Sequence, residues 1–536
     1  MSPSRGPLVA GAALTAAAAA TLVVVLWPEG SGTGGPAGAA SSPPRPSSAA
    51  PSPSPTRSYP LSEAPRTIPA VREHTAARGP GWRPEPGGGV VIARGDGALA
   101  DEAKLLAGEL KLSYRGEAAA RAGDVELALA PKDSGGPESY TLRTRDGRVT
   151  ISGPGEAGVF YGTRTLKQSV RADGLMPEGE VRDRPDRPQR GLNLDIARKY
   201  YSAAWIETRL REMADLKLNQ LGLHFSDDQA FRIQSTTHPE IVSPQHLTTA
   251  EVRDIVALAR RLHIDVVPEI DSPGHLGAVL RAHPDLQLRN VSGVASTGSL
   301  DISKPGAAKL IDELLGEYTK LFGGSFWHLG ADEYRALMAR DPAASYPQLQ
   351  RAAVAKYGAG AGISDLATGW LNDRAAVVRP HGMTPKAWND GMFRDSRVRA
   401  AKDIEVEYWT GKEYGARPPE QYLAEGRQVV NLNDEYLYYV LGQPNAFVYP
   451  TGKRIYEQWT PLVLRGTAPV PSRYSDQILG GRFAVWGDFP NAQTAAQVAA
   501  GIRMPLRATA QKLWDPGKPA RGWEAFKALA AEIDKG

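Results

Sequence analysis

Cysteine is absent from all 536 residues. That excludes a disulfide, a thiolate nucleophile, a Cys-ligated metal and a lipid anchor on an N-terminal cysteine. Charge of one sign is not in excess either: 63 Lys and Arg stand against 59 Asp and Glu, a net +4. With no basic run interleaved with aromatics, neither nucleic acid nor a membrane surface is indicated as a partner. The nine histidines include no His-x-His pair, so the spacing that most often marks a metal site is also missing. What remains is 42% hydrophobic and 23% charged, an ordinary globular composition with a real core, and the length predicts two or three domains.

The N terminus departs from that composition. One Arg (Arg5) precedes a small-apolar run from Pro7 to Trp27, close to the ~20 residues that span a bilayer. Residues 1–27 are therefore expected to be a signal peptide, cut near Ala37-Gly38-Ala39, or an uncleaved signal anchor. Both readings make the rest of the chain secreted or cell-surface. Residues 28–66 are Gly, Pro, Ser and Ala with almost no apolar side chains, the composition of a disordered linker or stalk.

Residues 67–183 read as a small α+β companion domain. Gly89-Val-Val-Ile92, Val125–Leu129, Tyr140-Thr-Leu142 and Val149-Thr-Ile151 have strand patterns, while 99–110 and 155–171 have helical spacing. No catalytic constellation falls there.

After Arg184-Pro-Asp-Arg-Pro188 the pattern becomes a repeat of short apolar run, polar end, loop and helix. Eight such ends occur: Leu192–Asp195, Leu221–Asp228, Val266–Asp271, Trp327–Glu333, Lys386–Asp390, Val406–Trp409, Val429–Asp434 and Phe483–Asp488. Helical spacing fills 203–217, 249–262, 306–322, 364–379 and 491–513, and the fifth unit leaves room only for a short helix or none. This predicts a (β/α)8 barrel over residues 187–536. Strand ends rich in Asp, Glu, Trp and His are poor core fillers and build the substrate site in such barrels. An enzyme is the reading that follows.

Carboxylates beside Trp platforms suit a sugar, because carboxylates bind hydroxyls and indole faces stack on a pyranose. Cleaving a glycosidic bond needs a carboxyl that stays protonated near neutrality. Glu333, beside Asp332 and under a Trp-rich wall, qualifies. Neighbours on an extended strand point to opposite faces, so Asp332 and Glu333 are poorly placed to flank one bond as nucleophile and acid, and a kink at the strand end is what could aim both into the site. Trp409 reads equally as core filler or site wall, Asp195 as a partner of Arg198, and Glu269 as a loop-orienting acid.

Six ordered segments resemble glycoside hydrolase family 20, the β-N-acetylhexosaminidases. They are Arg190-Gly-Leu-Asn-Leu-Asp-Ile-Ala-Arg198, Leu218–Gln229, Val267-Pro-Glu-Ile-Asp-Ser-Pro-Gly-His275, His328-Leu-Gly-Ala-Asp-Glu333, Ala387-Trp-Asn-Asp390 and Val485-Trp-Gly-Asp488. The resemblance implies substrate-assisted retention without a cofactor or metal. Glu333 would be general acid and then base, and Asp332 would orient the substrate's 2-acetamido group, whose carbonyl oxygen is the nucleophile. Asp227 and His275, with His328, would surround the acid, and Arg190 would hold O3 and O4 of the sugar. Trp388, Trp486 and Trp370 would box the acetamido methyl.

Three departures stand out. Ala331 replaces the usual Gly, Trp486-Gly-Asp488 ends on a shorter acid than the usual Glu, and Tyr436 and Tyr438 both compete for the Tyr that contacts the acetamido oxygen. Tyr438 is preferred, because Leu437-Tyr-Tyr-Val-Leu-Gly442 and Asp488 resemble a branch acting on specific glycan ends, lacto-N-biosidases among them. The partner implied is a glycan or chitooligosaccharide ending in N-acetylhexosamine. A metal-dependent hydrolase using His224, His275, His328 and Asp227 or Asp271 is one competing class. A catalytically silent glycan-binding protein is the other.

Overall fold

Although they carry buried polar side chains such as Asn193, Lys386, Glu407 and Arg482, the barrel's strands are buried on both faces, as expected of a parallel sheet covered on both sides. In the computed structural model, which describes residues 58–132 and 134–535, they are β1 (Gln189–Asp195), β2 (Gln220–His224), β3 (Asp265–Glu269), β4 (Phe326–His328), β5 (Thr384–Trp388), β6 (Glu405–Tyr408), β7 (Val429–Asn431) and β8 (Ile478–Trp486). Neighbours pair in parallel around the ring, and β8 pairs with both β7 and β1 to close it. The eight-stranded barrel expected from the repeat is the observed one. Helices Ala203–Asp215, Thr249–Arg261, Pro305–Phe322, Ile363–Val378 and Ala495–Trp514 pack outside it. Two of them start on capping boxes, Thr248 with Glu251 and Thr494 with Gln497, which satisfy otherwise unpaired N–H groups. No helix lies between Gly391 and β6, so the fifth unit is indeed the incomplete one.

The seventh unit is broken. After Asn431, which pairs with Gly481, the chain loops out and re-forms a strand at Tyr438–Val440, where Tyr438 pairs with Ala484. The chain thus advances seven residues while β8 advances three. The excess arches over the C-terminal mouth of the barrel, held by Asn433, whose amide bonds Val463 O at 3.0 Å and whose Oδ1 accepts from Glu435 N at 2.8 Å.

Before the barrel lies a seven-stranded mixed sheet carrying two helices, Ala100–Leu110 and Glu156–Asp173, the α+β domain expected there. The expected export segment and most of the linker, residues 1–57, lie outside the described residues. Residues 58–66, which composition assigns to the linker, belong to the folded body: Leu61 bridges Arg78, and Arg66 pairs with Asp173 at 2.7 Å and with Glu532 on the last helix, Trp523–Lys535.

Ionic contacts join this domain to the N-terminal rim of the barrel. Arg190 stands at the start of β1, not at its C-terminal end. Its guanidinium is 0% exposed as a residue and binds Glu138 through both ends (2.7 and 3.0 Å), with Tyr161 OH at 3.2 Å and Lys217 O at 3.0 Å. Trp514 covers it at 5.4 Å. Arg190 therefore does not hold a sugar at the mouth: it lies at the opposite end of the strand from the substrate face. Breaking one half of a buried pair leaves an uncompensated charge. Arg190→Ala is expected to cost about 3–5 kcal/mol in a denaturant titration, while a ligand at the barrel mouth binds the folded variant unchanged.

Candidate active site

The strand β4 ends in a turn that no extended chain would make. Gly330, Ala331 and Glu333 have φ of 69°, 82° and 48°, a conformation disfavoured for residues with a Cβ and typical of functional sites. Only glycine fits at 330, because a Cβ there would sit 1.7 Å from Asp271 Oδ1. The turn is clamped by neighbouring strand ends. Asp271 Oδ1 accepts from Ala331 N at 2.9 Å, and Asp390 Oδ2 accepts from Glu333 N at 3.2 Å. This kink turns both Asp332 and Glu333 into one pocket, of about 540 Å³, within the range of small-ligand sites.

The pocket wall is aromatic. Trp388, Trp409, Tyr438 and Trp486 all line it. Trp409 and Tyr438 stack face to face at 5.6 Å and 3°, and Trp486 lies 5.7 Å from Tyr438 and 5.8 Å from Trp388. Two carboxylates fix the indoles: Trp388 Nε1 donates to Glu269 at 2.8 Å and Trp409 Nε1 to Asp390 at 2.9 Å. The short strand Tyr438–Val440 carries Tyr438 into this wall. Tyr436 is buried outside the pocket with Arg454 stacked on its ring at 4.2 Å, so of the two tyrosines only Tyr438 faces the site.

Trp370 is not part of the wall. It sits on the helix Ile363–Val378, under Arg374 at 4.3 Å, with its indole N–H on Ser272 Oγ at 3.1 Å. Trp409 takes the third indole position instead. Arg198 likewise takes the place expected of Arg190. It follows β1, lines the pocket, and pairs with Asp195 at 3.1 Å and Asp227 at 2.7 Å. Asp488 lines the pocket beside it. Lys412, Glu413 and Asp434 to Glu435 extend the rim, with Asn445 to Val448 and Arg454 beyond them. These loop residues carried no strand-end signal, except Asp434.

Beneath the pocket lies a run of ionisable side chains. His275 Nε2 stands 3.4 Å from Glu333 and 3.7 Å from Asp332, and its Nδ1 is 3.4 Å from Asp227. Asp227 contacts His224 at 2.8 Å, His224 contacts Glu269 at 3.2 Å, and Glu269 contacts His328 at 3.3 Å. Asp227 and His328 are thus buried supports and do not line the pocket. Burial opposes charge on His275, but Asp227, Asp332 and Asp271 together raise its pKa well above the ordinary histidine value. Burial also opposes charge on His224, which Glu269 and Asp227 nevertheless push up to about 10.

The acids around the turn divide accordingly. Burial, and then the Asp332 charge, push Asp271 well above the carboxylate range; burial raises Asp332 too, against His275. Their mutual hydrogen bond raises Asp271 and lowers Asp332. Glu333, expected from its neighbours to stay protonated near neutrality, is instead held below its ordinary value, first by the His275 hydrogen bond and against burial. Asp271, His275 and Asp332 converge closely enough to surround a cation. Asp271 Oδ1 already accepts from Ala331 N and His275 lies between Asp227 and Glu333, whereas Asp332 Oδ1 is buried with no hydrogen-bond partner among the described residues.

Residues 188–516 match the family model for the catalytic domain of glycosyl hydrolase family 20, and residues 64–184 match the model for domain 2 of that family. The lacto-N-biosidase of Bifidobacterium bifidum is 32% identical over 482 residues, 88% of this chain and 41% of that protein. A β-hexosaminidase of Porphyromonas gingivalis is 31% identical over 242 residues, 39% of this chain and 30% of its own length. The chain thus spans less than half the length of these two relatives. Among solved structures, the exo β-N-acetylglucosaminidase of Vibrio harveyi superposes with a TM-score of 0.71 at 20% identity, covering 90% of this chain and 80% of that one. The barrel and its preceding domain are the shared fold.

A group that must donate a proton acts only while it holds one. If Glu333 is the proton donor, its carboxylate being stabilised by the His275 imidazolium, the alkaline limb of kcat/KM is expected to lie on the acid side of neutral. Removing that cation by His275→Asn raises the Glu333 pKa and moves the limb to higher pH, with kcat reduced. A limb that stays put in the pH–rate profile contradicts this coupling.

Proposed function

The chain belongs to glycosyl hydrolase family 20, and from that premise we propose that it is a retaining exo-β-N-acetylhexosaminidase using the substrate's own 2-acetamido group as nucleophile. The observation that carries the reading is the left-handed turn that aims adjacent Asp332 and Glu333 into one aromatic-walled pocket. A conventional retaining pair stands about 5–5.5 Å apart across the scissile bond, with a protein carboxylate forming the covalent intermediate. Two neighbours on one turn are poorly placed to flank that bond from opposite faces.

In this reading Glu333, exposed at 37% of its side chain, protonates the glycosidic oxygen as the bond to the anomeric carbon breaks. The acetamido carbonyl oxygen attacks that carbon from the other face and closes an oxazolinium ring. Asp332 accepts the acetamido N–H and stabilises the developing positive charge. The Tyr438 hydroxyl donates to the acetamido oxygen, and Trp388, Trp409 and Trp486 enclose the methyl. Glu333, now a carboxylate, takes a proton from water, which opens the ring from the original side. Two inversions leave the β configuration. Arg198 and Asp488, at the sugar's far edge, are the groups for its hydroxyls. The apolar N-terminal run supports export, placing this chemistry on glycans outside the cytoplasm.

A second reading, release of a disaccharide as a lacto-N-biosidase does, is favoured by two observations. Its Bifidobacterium relative aligns along most of this chain. The pocket also continues past the Trp wall to Glu435, Phe447, Val448 and Arg454, where a second sugar ring would lie.

Aryl β-glycosides of GlcNAc, GalNAc and lacto-N-biose separate these outcomes, the fastest kcat/KM naming the preferred unit. Glu333→Gln is expected to lose about 10²–10⁴-fold on a substrate with a poor leaving group; an unchanged rate overturns its role. Asp332→Asn is expected to lose activity only on 2-acetamido substrates. No turnover on any of the three by wild-type protein would leave only a glycan-binding role.

A further inference from the structure

On the side of the barrel away from the pocket wall, two turns of the same kind face each other. His238-Pro239-Glu240 follows β2, and His283-Pro284-Asp285 follows the short helix after β3, Gly277–Ala282. Each His has nearly the same backbone, φ −133° and ψ 64° at His238, and φ −124° and ψ 60° at His283. Each proline then starts a one-turn 3₁₀ helix, for which its fixed φ is suited. The result brings two imidazoles to 5.8 Å between ring centroids, at 80° to one another.

Glu240 Oε1 lies between them. It is 3.0 Å from His238 Nδ1 and 3.0 Å from His283 Nε2. The other nitrogen of His238, Nε2, faces Glu313 Oε2 at 3.2 Å from the helix Pro305–Phe322, and the second oxygen of Glu313 is 3.7 Å from Lys309.

We propose that His238 Nδ1, Glu240 Oε1 and His283 Nε2 form a binding site for a divalent transition-metal ion of the zinc class. Three lines of geometry support it. The three donor atoms lie within 4.8 Å of one another, and Zn–N and Zn–O bonds of about 2.0–2.2 Å in a tetrahedron set neighbouring donors roughly 3.3 Å apart. Two imidazoles and one carboxylate, with a fourth position for water, is a zinc donor set rather than a calcium one. Glu313 on the far nitrogen of His238 supplies the carboxylate–histidine arrangement that fixes tautomer and ring orientation at metal sites. None of these residues lines the substrate pocket. The ion ties the loop after β2, which carries Asp227, to the segment after β3 that includes His275. Its role is to hold those loops together, and turnover does not pass through it.

The test uses the full chain without a histidine tag, stripped by chelator, dialysed and titrated with Zn²⁺ by calorimetry. One equivalent per chain is expected, together with a higher Tm in the Zn²⁺-loaded protein. His238→Gln and His283→Gln should each weaken binding at least about tenfold and abolish the Tm rise, and Glu313→Gln should weaken it by about 10–100-fold. Glu240→Gln serves as an independent variant should a histidine variant not fold by near-ultraviolet circular dichroism. Absence of stoichiometric binding by wild type overturns the site. So does binding that survives His238→Gln combined with His283→Gln, or Ca²⁺ binding as tightly as Zn²⁺.

Discussion

The site depends on a left-handed turn at the end of one strand. The strand packs Trp327 outward against Phe322 of the helix Pro305–Phe322 and turns His328 inward to Glu269, and Gly330, Ala331 and Glu333 then take backbone conformations that side chains resist. The turn persists because the carboxylates of Asp271 and Asp390, from the strands on either side, hold its N–H groups. Those same carboxylates shape the pocket, since Asp390 also fixes Trp409 and Asp271 also contacts Asp332. Backbone strain, wall and acid placement are one construction. Ala331, which has a Cβ at φ 82°, adds to the strain without moving the acids out of the pocket.

Crowding so many carboxylates below one pocket has an electrostatic consequence. Asp227, Asp271, Asp332, Glu333 and Asp390 lie close together, and two of them, Asp271 and Asp390, are pushed well above the ordinary range by burial and by the Asp332 charge. The charge that remains is balanced by the raised His275 and by Arg198. His275 thereby stabilises the carboxylate form of Glu333. In the proposed mechanism that form serves the second step, and the protonated form needed for the first becomes more populated as pH falls.

Much of this was legible in the residues. The eight strand ends, the incomplete fifth unit and the kink required after Trp327 all followed from apolar periodicity and from where acids and tryptophans stand. Arg190 was misplaced because its segment contains two arginines. The strand runs toward Asp195, so its first residue lies at the foot of the barrel, and only Arg198 reaches the mouth. Strand direction, visible in the same segment, was the signal that distinguishes them. Trp370 was misplaced because a tryptophan on an amphipathic helix gives no sign of whether it faces the barrel mouth or a neighbouring helix. Tyr436 and Tyr438 are separated by the break in the seventh strand, which arises from pairing with Ala484 and has no local signature. The loop residues from Lys412 to Arg454 come together only through tertiary packing, as do His238 and His283 across two loops.

The central claim is that the substrate's acetamido oxygen is the nucleophile that the turn and its acids serve. Its most direct measurement is kcat/KM across aryl β-glucosaminides bearing N-acetyl, N-fluoroacetyl, N-difluoroacetyl and N-trifluoroacetyl groups. Fluorine withdraws electron density from the carbonyl oxygen while changing size little. The account predicts a steep fall in rate along the series. A flat series would contradict it and require a protein nucleophile.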